Sequence, residues 1–443
     1  MTPTLPDRAL RLALVLVLAA SALAPLAAAG QYPAVLGLKD QAAVYDGWLA
    51  SRLDKLLPEL MRRERIDMWL VICREYNEDP VYLSLVPFAS LSARRLSILV
   101  MHDRGEDKGV ERFAVSRYGV GKLFPTVWKA GEEDQWQALA RAVRERDPKR
   151  IGIDESDVFA FGDGLSASLK KKLVQALGPD LSKRLVGAER LAVGWLERRL
   201  PEEIAAYDRV CAIAHAVIAE AFSPAVITPG VTTTADVEWW IWEKFRSLGQ
   251  TTWFNPGISL QRPKTSPYGD SPVIHPGDLL HCDIGITYLR LNTDTQQHAY
   301  VLKPGETDAP AGLKAALAKG NRLQDVLLGE MKEGLTGNQV LAAALERAKG
   351  EGLRPSIYTH PLGVHGHAAG PTIGLWDKQG GVPGDGDYPL YADTVYSIEL
   401  NITDAVAEWN GQDVQIALEQ DAVFTRAGAR FLDRRQTGLI LIR

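Results

Sequence analysis

Amphipathic helix patterns and short apolar runs alternate along the first half of the chain. Residues 49–77 place apolar side chains at helical spacing and then enter the run MWLVICREY, which predicts a helix followed by a buried strand. Further strand patterns lie at 92–103 and 110–119, and residues 132–156 predict another helix and strand. This alternation predicts an α/β domain.

The second half has longer helix patterns before and between its strand patterns. The helix patterns lie at 201–222, 233–248, 311–332 and 337–350. The strand patterns lie at 281–302, which favours a hairpin of two strands, and at 394–401, 413–424 and 435–442. Residues 359–377 are rich in Gly and Pro, so they are predicted to form a structured loop and not a helix.

A domain junction is predicted near residue 195. Charged residues there precede Pro201 and two glutamates, and proline followed by acidic residues is typical of a helix start. The chain of 443 residues is also too long for one ordinary core. We therefore predict a two-domain protein of the α/β and α+β classes, with domains at 30–194 and 195–443.

The last third of the chain contains five potential metal ligands with oxygen or nitrogen donors. They are Asp283, Asp294, His360, Glu399 and Glu419. A hairpin can bring the two aspartates together, and carboxylates that close repel each other unless a cation lies between them. Either aspartate alone could be a turn or cap residue. The two glutamates lie in apolar strand patterns, where a carboxylate is costly to bury unless it is paired or binds metal. The set predicts one two-metal hydrolase site.

These residues resemble the ligand motifs of the pita-bread metallopeptidases, which include Xaa-Pro aminopeptidases, prolidases, methionine aminopeptidases and creatinases. The resemblance rests on the spacing from Asp283 to Asp294, on His360-Pro-Leu-Gly with His367 after it, and on the two glutamate strands. It covers residues 195–443, which would form a pita-bread catalytic domain. Residues 30–194 are similar in order and length to the small N-terminal α/β domain of the creatinase and prolidase branch.

The resemblance implies a dinuclear metal centre. Asp283 would chelate one ion, Asp294 and Glu419 would bridge both ions, and His360 with Glu399 would complete the second position. Four carboxylates with one imidazole favour two divalent ions, with Mn²⁺ expected first and Co²⁺ or Zn²⁺ possible.

The resemblance also implies catalytic roles. A metal-bridging hydroxide would attack the N-terminal peptide bond of a short peptide, and Glu399 would shuttle the proton. His367 would donate a hydrogen bond to the substrate carbonyl or the developing oxyanion, although it could instead be a loop residue bonded to backbone. For His365, in the same loop, we favour a structural role.

Two positions depart from the family pattern. Family peptidases have a further histidine upstream of the first aspartate, where this chain has Thr265 and Ser266. His281 could replace it as a catalytic residue, because strand alternation puts it on the same face as Asp283; it could equally pack beside the site. The usual arginine before the last glutamate is also absent, with Gln415 in the neighbouring position.

The leading functional hypothesis is an exopeptidase of the Xaa-Pro aminopeptidase or prolidase type. One alternative is a creatinase-like amidohydrolase of a non-peptide C–N bond, although creatinases lack the full metal set. The other alternative is a binding or scaffolding protein that kept the fold and lost turnover. Family members often dimerise, so a homodimer is possible.

The N-terminus predicts the location of the protein. Residues 1–29 contain Arg8 and Arg11, then an apolar run broken by Pro25 and ending in three alanines, the layout of a cleavable signal peptide. We therefore expect a periplasmic or secreted protein without membrane attachment after cleavage; an uncleaved anchor is the alternative.

Charge and cysteine content limit the binding partners and the kinds of fold that the chain can have. A net charge of −5 without basic stripes argues against nucleic acid as a binding partner. Three cysteines, Cys73, Cys211 and Cys282, are too few for a disulfide scaffold.

Four tryptophans lie close together before the aspartate strands. Core packing is the favoured explanation for Trp239, Trp240 and Trp242, whereas Trp253 could line the substrate pocket.

Overall fold

The computed structural model describes residues 32–443. The predicted signal peptide at 1–29 lies outside the described residues. Within the described range, no helix is both long enough and apolar enough to cross a membrane.

The N-terminal part folds around a five-stranded sheet, which agrees with the predicted α/β domain. Its helices are α1 (Leu38–Ser51), α2 (Leu57–Arg63), α3 (Gln135–Arg146), α4 (Ala167–Ser182) and α5 (Glu189–Glu197), with a π-helical turn at Arg52–Leu56. Its strands are β1 (Met68–Arg74), β2 (Leu96–Asp103), β3 (Val110–Ala114), β4 (Ile151–Ile153) and β5 (Leu185–Gly187). The spatial order is β3-β2-β1-β4-β5, with β1, β4 and β5 parallel.

The C-terminal part is built on a larger, mixed sheet with helices packed on it. The helices are α6 (Pro201–Ala221), α7 (Thr234–Ser247), α8 (Ala311–Glu330) and α9 (Gly337–Gly350). The strands are β6 (Thr251–Thr252), β7 (Gly257–Gln261), β8 (Leu279–Ile284), β9 (Ile286–Tyr288), β10 (Leu291–Asn292), β11 (Thr295–Val301), β12 (Pro355–Ile357), β13 (His360–Leu362), β14 (Thr394–Val406), β15 (Gln412–Thr425), β16 (Gly428–Phe431) and β17 (Ile440–Ile442). The order β12-β14-β15-β11-β8-β7 places the predicted glutamate and aspartate strands side by side.

Strand alternation gives the middle of this sheet one apolar face and one polar face. In β14, Ile398 and Leu400 are buried in a core shared with α8 and α9, so Glu399 between them points the other way. In β15, Leu418 belongs to the same core and Glu419 is on the opposite face. The carboxylates therefore meet on the face opposite the core that α8 and α9 cover.

The hairpin strand β8 follows the same rule. Leu280, Cys282 and Ile284 are buried in a second core against α6 and α7. His281 and Asp283 alternate with them and lie on the polar face. Cys282 therefore points away from the carboxylates, and none of the three cysteines, all within the described range, forms a disulfide.

The prediction of core packing was wrong for Trp239. The buried stripe of α7 runs through Val237, Ile241 and Phe245, which recur every four residues. Trp239 is two residues from the stripe, on the far side of the helix, and is 69% exposed. Trp240 packs against the core only in part.

Buried polar contacts fix the N-terminal part against the C-terminal part. Glu203 in α6 pairs with Arg52 at 2.8 Å and with Arg199 at 3.2 Å. From the loop between β9 and β10, Arg290 donates a hydrogen bond of 2.8 Å to the backbone oxygen of Phe88. These contacts join the N-terminal part to the helix α6 and to the separate three-stranded sheet formed by β10, β9 and β6.

Candidate metal centre

Neighbouring strands bring the five predicted ligands together. Asp283 lies in β8, Asp294 directly precedes β11, and Glu399 and Glu419 are directly paired across β14 and β15. His360 is the first residue of β13, which pairs with β14, so the prediction of a structured loop was wrong at this residue. The backbone pairing of β8, β11, β15, β14 and β13 thus brings all five side chains to one place.

The side chains form overlapping groups suited to a metal ion. Within each group, one potential ligand atom per residue lies within 4.8 Å of the others. The groups are Asp283–Asp294–Glu419, His360–Glu399–Glu419 and Asp294–His360–His367. Asp294 and Glu419 each belong to two groups, so the arrangement has two adjoining positions that share carboxylates.

Hydrogen bonding orients the imidazole of His360 towards the carboxylates. Its Nδ1 lies 3.0 Å from the backbone oxygen of Pro361 and can only donate to it. The neutral ring then presents a lone pair at Nε2, 3.6 Å from Asp294 Oδ2 and from Glu419 Oε1, and 4.0 Å from Glu399 Oε2. A backbone acceptor on the second nitrogen is the usual arrangement of a histidine metal ligand.

Unpartnered buried atoms test whether these residues fit a cation. Asp283 Oδ1, Asp294 Oδ1 and His360 Nε2 are all buried without a hydrogen-bond partner. Buried polar atoms without partners are rare because each costs free energy. Here all three belong to one cluster of acceptors, so the donor set fits divalent ions.

The pKa values in the cluster show the cost of placing these groups together. Burial, and next the charge of Glu399, raises the pKa of Asp283 to about 7. Burial and the neighbouring carboxylates raise the pKa of Asp294 and Glu419 well above the usual range. Burial would lower the pKa of His360, but the neighbouring carboxylates of Glu419 and Glu399 outweigh this effect and raise the pKa. Positive charge, from protons or cations, is therefore favoured here.

Several polar contacts that had not been predicted hold the ligands in place. Ser397 donates a hydrogen bond to Glu419 Oε1. The carboxylate of Asp421 accepts from the backbone N–H of Asp294 at 3.1 Å and from Cys211 Sγ at 3.1 Å. Strand alternation is the signal that could have identified Ser397 and Asp421, since each is two residues from a ligand glutamate.

Gln296, also not predicted, lies between the carboxylates. Its Nε2 donates to Glu399 Oε1 and Glu419 Oε2, at 2.8 Å each, and lies 3.4 Å from Asp283 Oδ2. His281 reaches the cluster only through this residue, because its Nε2 lies 2.9 Å from Gln296 Oε1. Among the described residues, His281 is absent from every potential ligand group.

The segment after β13 places His367 at the mouth of the cluster. The centre of its ring lies 4.7 Å from the ring centre of His360 and 5.1 Å from that of the Trp253 indole, and both pairs are arranged edge to face. Trp253 is anchored by a hydrogen bond of 2.9 Å from Nε1 to the backbone oxygen of Thr293. Gly366 is needed beneath the indole, since a Cβ there would lie 2.2 Å from Trp253 Cδ2. Trp253 therefore lies beside the cluster, and its role in lining a substrate pocket stays a prediction.

His365 points away from the cluster. Its Nε2 lies 3.3 Å from the backbone oxygen of Pro80, and its ring packs against Phe161. Both partners belong to the N-terminal part. This placement fits the structural role favoured for His365 and shows that the N-terminal part supports the segment that holds His367.

Stability without metal should fall as pH rises. A carboxyl group whose pKa is raised on folding contributes stability below its unfolded pKa and loses it as pH rises through the folded pKa. For Asp283 that interval runs from 3.8 to about 7. We expect chelator-treated protein to melt several degrees lower at pH 7.5 than at pH 5, with Asp283 accounting for about 1 to 3 kcal/mol.

The Asp283→Asn variant isolates this effect in thermal melts. Other buried acids, such as Asp421, remain in the variant, so its melting temperature should fall less with pH than that of the parent protein. Added Mn²⁺ should raise the melting temperature of the parent protein more at pH 7.5 than at pH 5, because cations bind the ionised carboxylates and more carboxylates are ionised at the higher pH. Equal pH slopes for parent and variant without metal would contradict this prediction.

Comparison with known proteins places this site in a family. The sequence profile described as Metallopeptidase family M24 matches residues 205–430, which include all five candidate ligands. No curated protein matches the chain.

Several solved structures share the fold. The X-Pro aminopeptidase from Thermotoga maritima MSB8 has a TM-score of 0.62 at 19% identity, covering 86% of this chain and 99% of its own. The Xaa-Pro dipeptidase from Bacillus anthracis has a TM-score of 0.59 at 18% identity, and the match covers 91% of this chain and 100% of the dipeptidase. The prolidase from Pyrococcus horikoshii OT3 has a TM-score of 0.56 at 16% identity, and the match covers 88% of this chain and 100% of the prolidase.

At these identities the likeness establishes the fold, and it confirms the expected two-domain arrangement. The family profile covers just over half of the chain, so it establishes the class of activity as well as the fold. The chain belongs to metallopeptidase family M24 and is a metallopeptidase hydrolase.

Proposed function

We propose that this protein is a dinuclear-metal exopeptidase of the Xaa-Pro aminopeptidase or prolidase type, acting on the N-terminal peptide bond of short peptides. The convergence of Asp283, Asp294, His360, Glu399 and Glu419, with unpartnered atoms on three of them, carries the proposal. Asp283 would hold one ion and His360 with Glu399 the other, and Asp294 and Glu419 would each contribute to both positions. Mn²⁺ is the cation expected first, with Co²⁺ and Zn²⁺ as alternatives.

The chain's own residues would position the substrate and move protons. A bound pair of divalent cations lowers the pKa of water and polarises a carbonyl group. Glu399 is only partly buried, so its carboxylate can take a proton from water and pass it to the leaving amine. His367 is exposed at the mouth, where an N–H of its neutral ring can donate to the oxygen of the scissile carbonyl.

The names of the structural neighbours support the choice of substrate class. They include an X-Pro aminopeptidase, an Xaa-Pro dipeptidase and a prolidase, all with the same two-domain fold. A preference for proline after the scissile bond is therefore part of the proposal.

Hydrolysis of a small peptide panel tests the proposal. Purified protein is assayed with Mn²⁺, Co²⁺ or Zn²⁺ on Xaa-Pro and non-proline di- and tripeptides, together with N-acetylated forms of the same peptides. We expect metal-dependent release of the N-terminal residue, fastest for Xaa-Pro peptides, and no cleavage of the acetylated forms. Protein that holds two ions and cleaves none of these peptides would refute the proposal and favour a non-peptide substrate or a binding role.

We also propose that the protein acts in the periplasm or outside the cell. The charged and then apolar pattern of residues 1–29 supports this location. N-terminal sequencing of protein from the periplasmic and culture fractions should find the chain cut near Ala29. Full-length chain confined to the cytoplasm would refute this location.

A further inference from the structure

A cavity of about 760 Å³ lies in the N-terminal part, and none of the five candidate metal ligands lines it. Its ionisable lining residues with a charge near pH 7 are three arginines, Arg94, Arg95 and Arg117, and one acid, Glu75. Three guanidinium cations and one carboxylate leave an excess of two positive charges, in a chain whose net charge is −5. A cavity lined mainly by one sign of charge concentrates ligands of the opposite sign.

Strand pairing brings the three arginines together. Arg94 and Arg95 directly precede β2, and Arg117 follows β3 closely. The two strands are antiparallel, so the start of β2 lies beside the end of β3. A hydrogen bond of 3.1 Å from the backbone N–H of Ile98 to Ser116 Oγ extends this contact to the residue before Arg117. The fold therefore places all three cations at one end of the β2–β3 hairpin.

The guanidinium groups have no protein partner among the described residues. All three arginines are exposed, and no carboxylate oxygen of residues 32–443 lies within 4.0 Å of their side-chain nitrogens. Glu75 instead bonds to the backbone of Arg95, where its Oε2 accepts from the N–H at 3.4 Å. Ser97 Oγ likewise accepts from the backbone N–H of Arg94 at 3.1 Å. The polar groups around the cavity thus hold the backbone and leave the cations available to a ligand.

The walls of the cavity are held from outside it. Arg290, in the C-terminal part, donates to the backbone oxygen of Ser90 at 2.7 Å and to that of Pro87 at 3.4 Å, and both residues line the cavity. Trp128 also lines it and is anchored by a hydrogen bond of 2.9 Å from Nε1 to the backbone oxygen of Glu133. Preformed cavities of about 300 to 1,000 Å³ are typical of small-molecule sites.

We propose that this cavity binds a phosphate monoester of a small organic molecule. A phosphate monoester carries a charge of about −1.5 to −2 near pH 7 and has three terminal oxygens, which matches the charge excess and the number of arginines. Guanidinium groups bind such oxygens in pairs of charge-assisted hydrogen bonds. Tyr118, which is 69% exposed, and Trp128 line the same cavity and offer aromatic faces to the organic part of the ligand. This site goes beyond the proposed peptidase function and does not depend on it.

Calorimetric titration of phenyl phosphate into the Mn²⁺-loaded protein tests this inference. We expect one molecule bound per chain at the cavity, with a Kd below about 0.1 mM. Arg94→Gln and Arg117→Gln should each weaken this binding at least about tenfold, because each removes one charged donor. Phthalate has a similar size and charge, but its two carboxylates cannot bring three oxygens to one point. It should therefore bind at least about tenfold more weakly than phenyl phosphate.

Arg104→Gln is the matched control. Arg104 is also exposed, but it lies in the connection at the other end of the β2–β3 hairpin, so its replacement should leave binding unchanged. All three variants should keep the parental melting temperature, since exposed side chains contribute little to stability.

Three results would overturn the inference. They are no binding of phenyl phosphate, phthalate binding as tight as that of phenyl phosphate, and phenyl phosphate binding that is unchanged in both Arg94→Gln and Arg117→Gln. The last result would place the ligand elsewhere, for example on the metal ions. The cavity lies outside the metal centre, so a protein that binds phenyl phosphate here but hydrolyses no peptide would overturn the proposed function alone.

Discussion

Replacing Asp294 with asparagine should reduce peptide hydrolysis by on the order of a thousandfold or more and lower the number of bound ions below two per chain. Asp294 belongs to the ligand group of Asp283 and to that of His360, so one substitution weakens both positions. Asparagine has nearly the same shape but carries no negative charge, and the charge of the ligands is what offsets the desolvation of the cation. Hydrolysis rates and ions per chain are measured on the same preparation.

The stability of the metal-free variant separates loss of metal from misfolding. Asp294 is buried among carboxylates that raise its pKa, so its replacement removes an unfavourable charge when no cation is present. The chelator-treated variant should therefore melt no lower than the chelator-treated parent. Asp270→Asn, at an exposed aspartate in the loop before β8, is the control and should keep parental activity. Two tightly bound ions and parental activity in Asp294→Asn would contradict the assignment.

Replacing His367 with alanine should lower kcat by about a hundredfold to a thousandfold while KM changes much less. Burial, and next the charge of His360, lowers the pKa of His367 to about 4, so its ring is neutral and can donate one hydrogen bond near pH 7. A donor that acts mainly on the developing oxyanion changes kcat more than it changes substrate binding. Steady-state kinetics on an Xaa-Pro peptide measures the effect.

Metal content decides which role His367 has. If it donates to the substrate, His367→Ala should keep the ions of the parent protein. Because His367 also lies in a potential ligand group with Asp294 and His360, loss of an ion together with activity would contradict the donor role. His365→Ala is the matched control, since it alters the same segment but touches only the N-terminal part, and it should retain activity within a few-fold.

The sequence was sufficient to single out the five candidate ligands because each lies in a local context with physical meaning. Glu399 and Glu419 interrupt apolar strands, and Asp283 and Asp294 lie on the two sides of one hairpin. Their convergence, however, depends on strand order. The pairing of β11 with both β8 and β15 brings the aspartates and glutamates together, and no local pattern encodes that pairing.

Gln296 was not predicted because a buried glutamine has no distinctive sequence context. Counting two residues from Asp294 would have placed it on the same face, but only the register opposite Glu419 shows what it contacts. The prediction that His281 shares the strand face of Asp283 is confirmed, and the structure shows in addition that His281 contacts Gln296. Its predicted catalytic role stays a prediction.

Element types could largely be predicted, and the remaining differences have local causes. The α7 helix was predicted, but its tryptophans were all assigned to the core although the stripe through Ile241 excludes Trp239. The segment at 359–377 was predicted as a loop because of its Gly and Pro content. His360 nevertheless lies in a strand, because β14 offers it a pairing partner that is distant in sequence.

Anomalous X-ray diffraction from crystals grown with millimolar Mn²⁺ tests the central claim most directly. Two anomalous peaks should appear about 3.5 to 4 Å apart. They should lie among Asp283, Asp294, His360, Glu399 and Glu419. Peaks elsewhere, or none at this cluster in protein that hydrolyses peptides with Mn²⁺, would contradict the account.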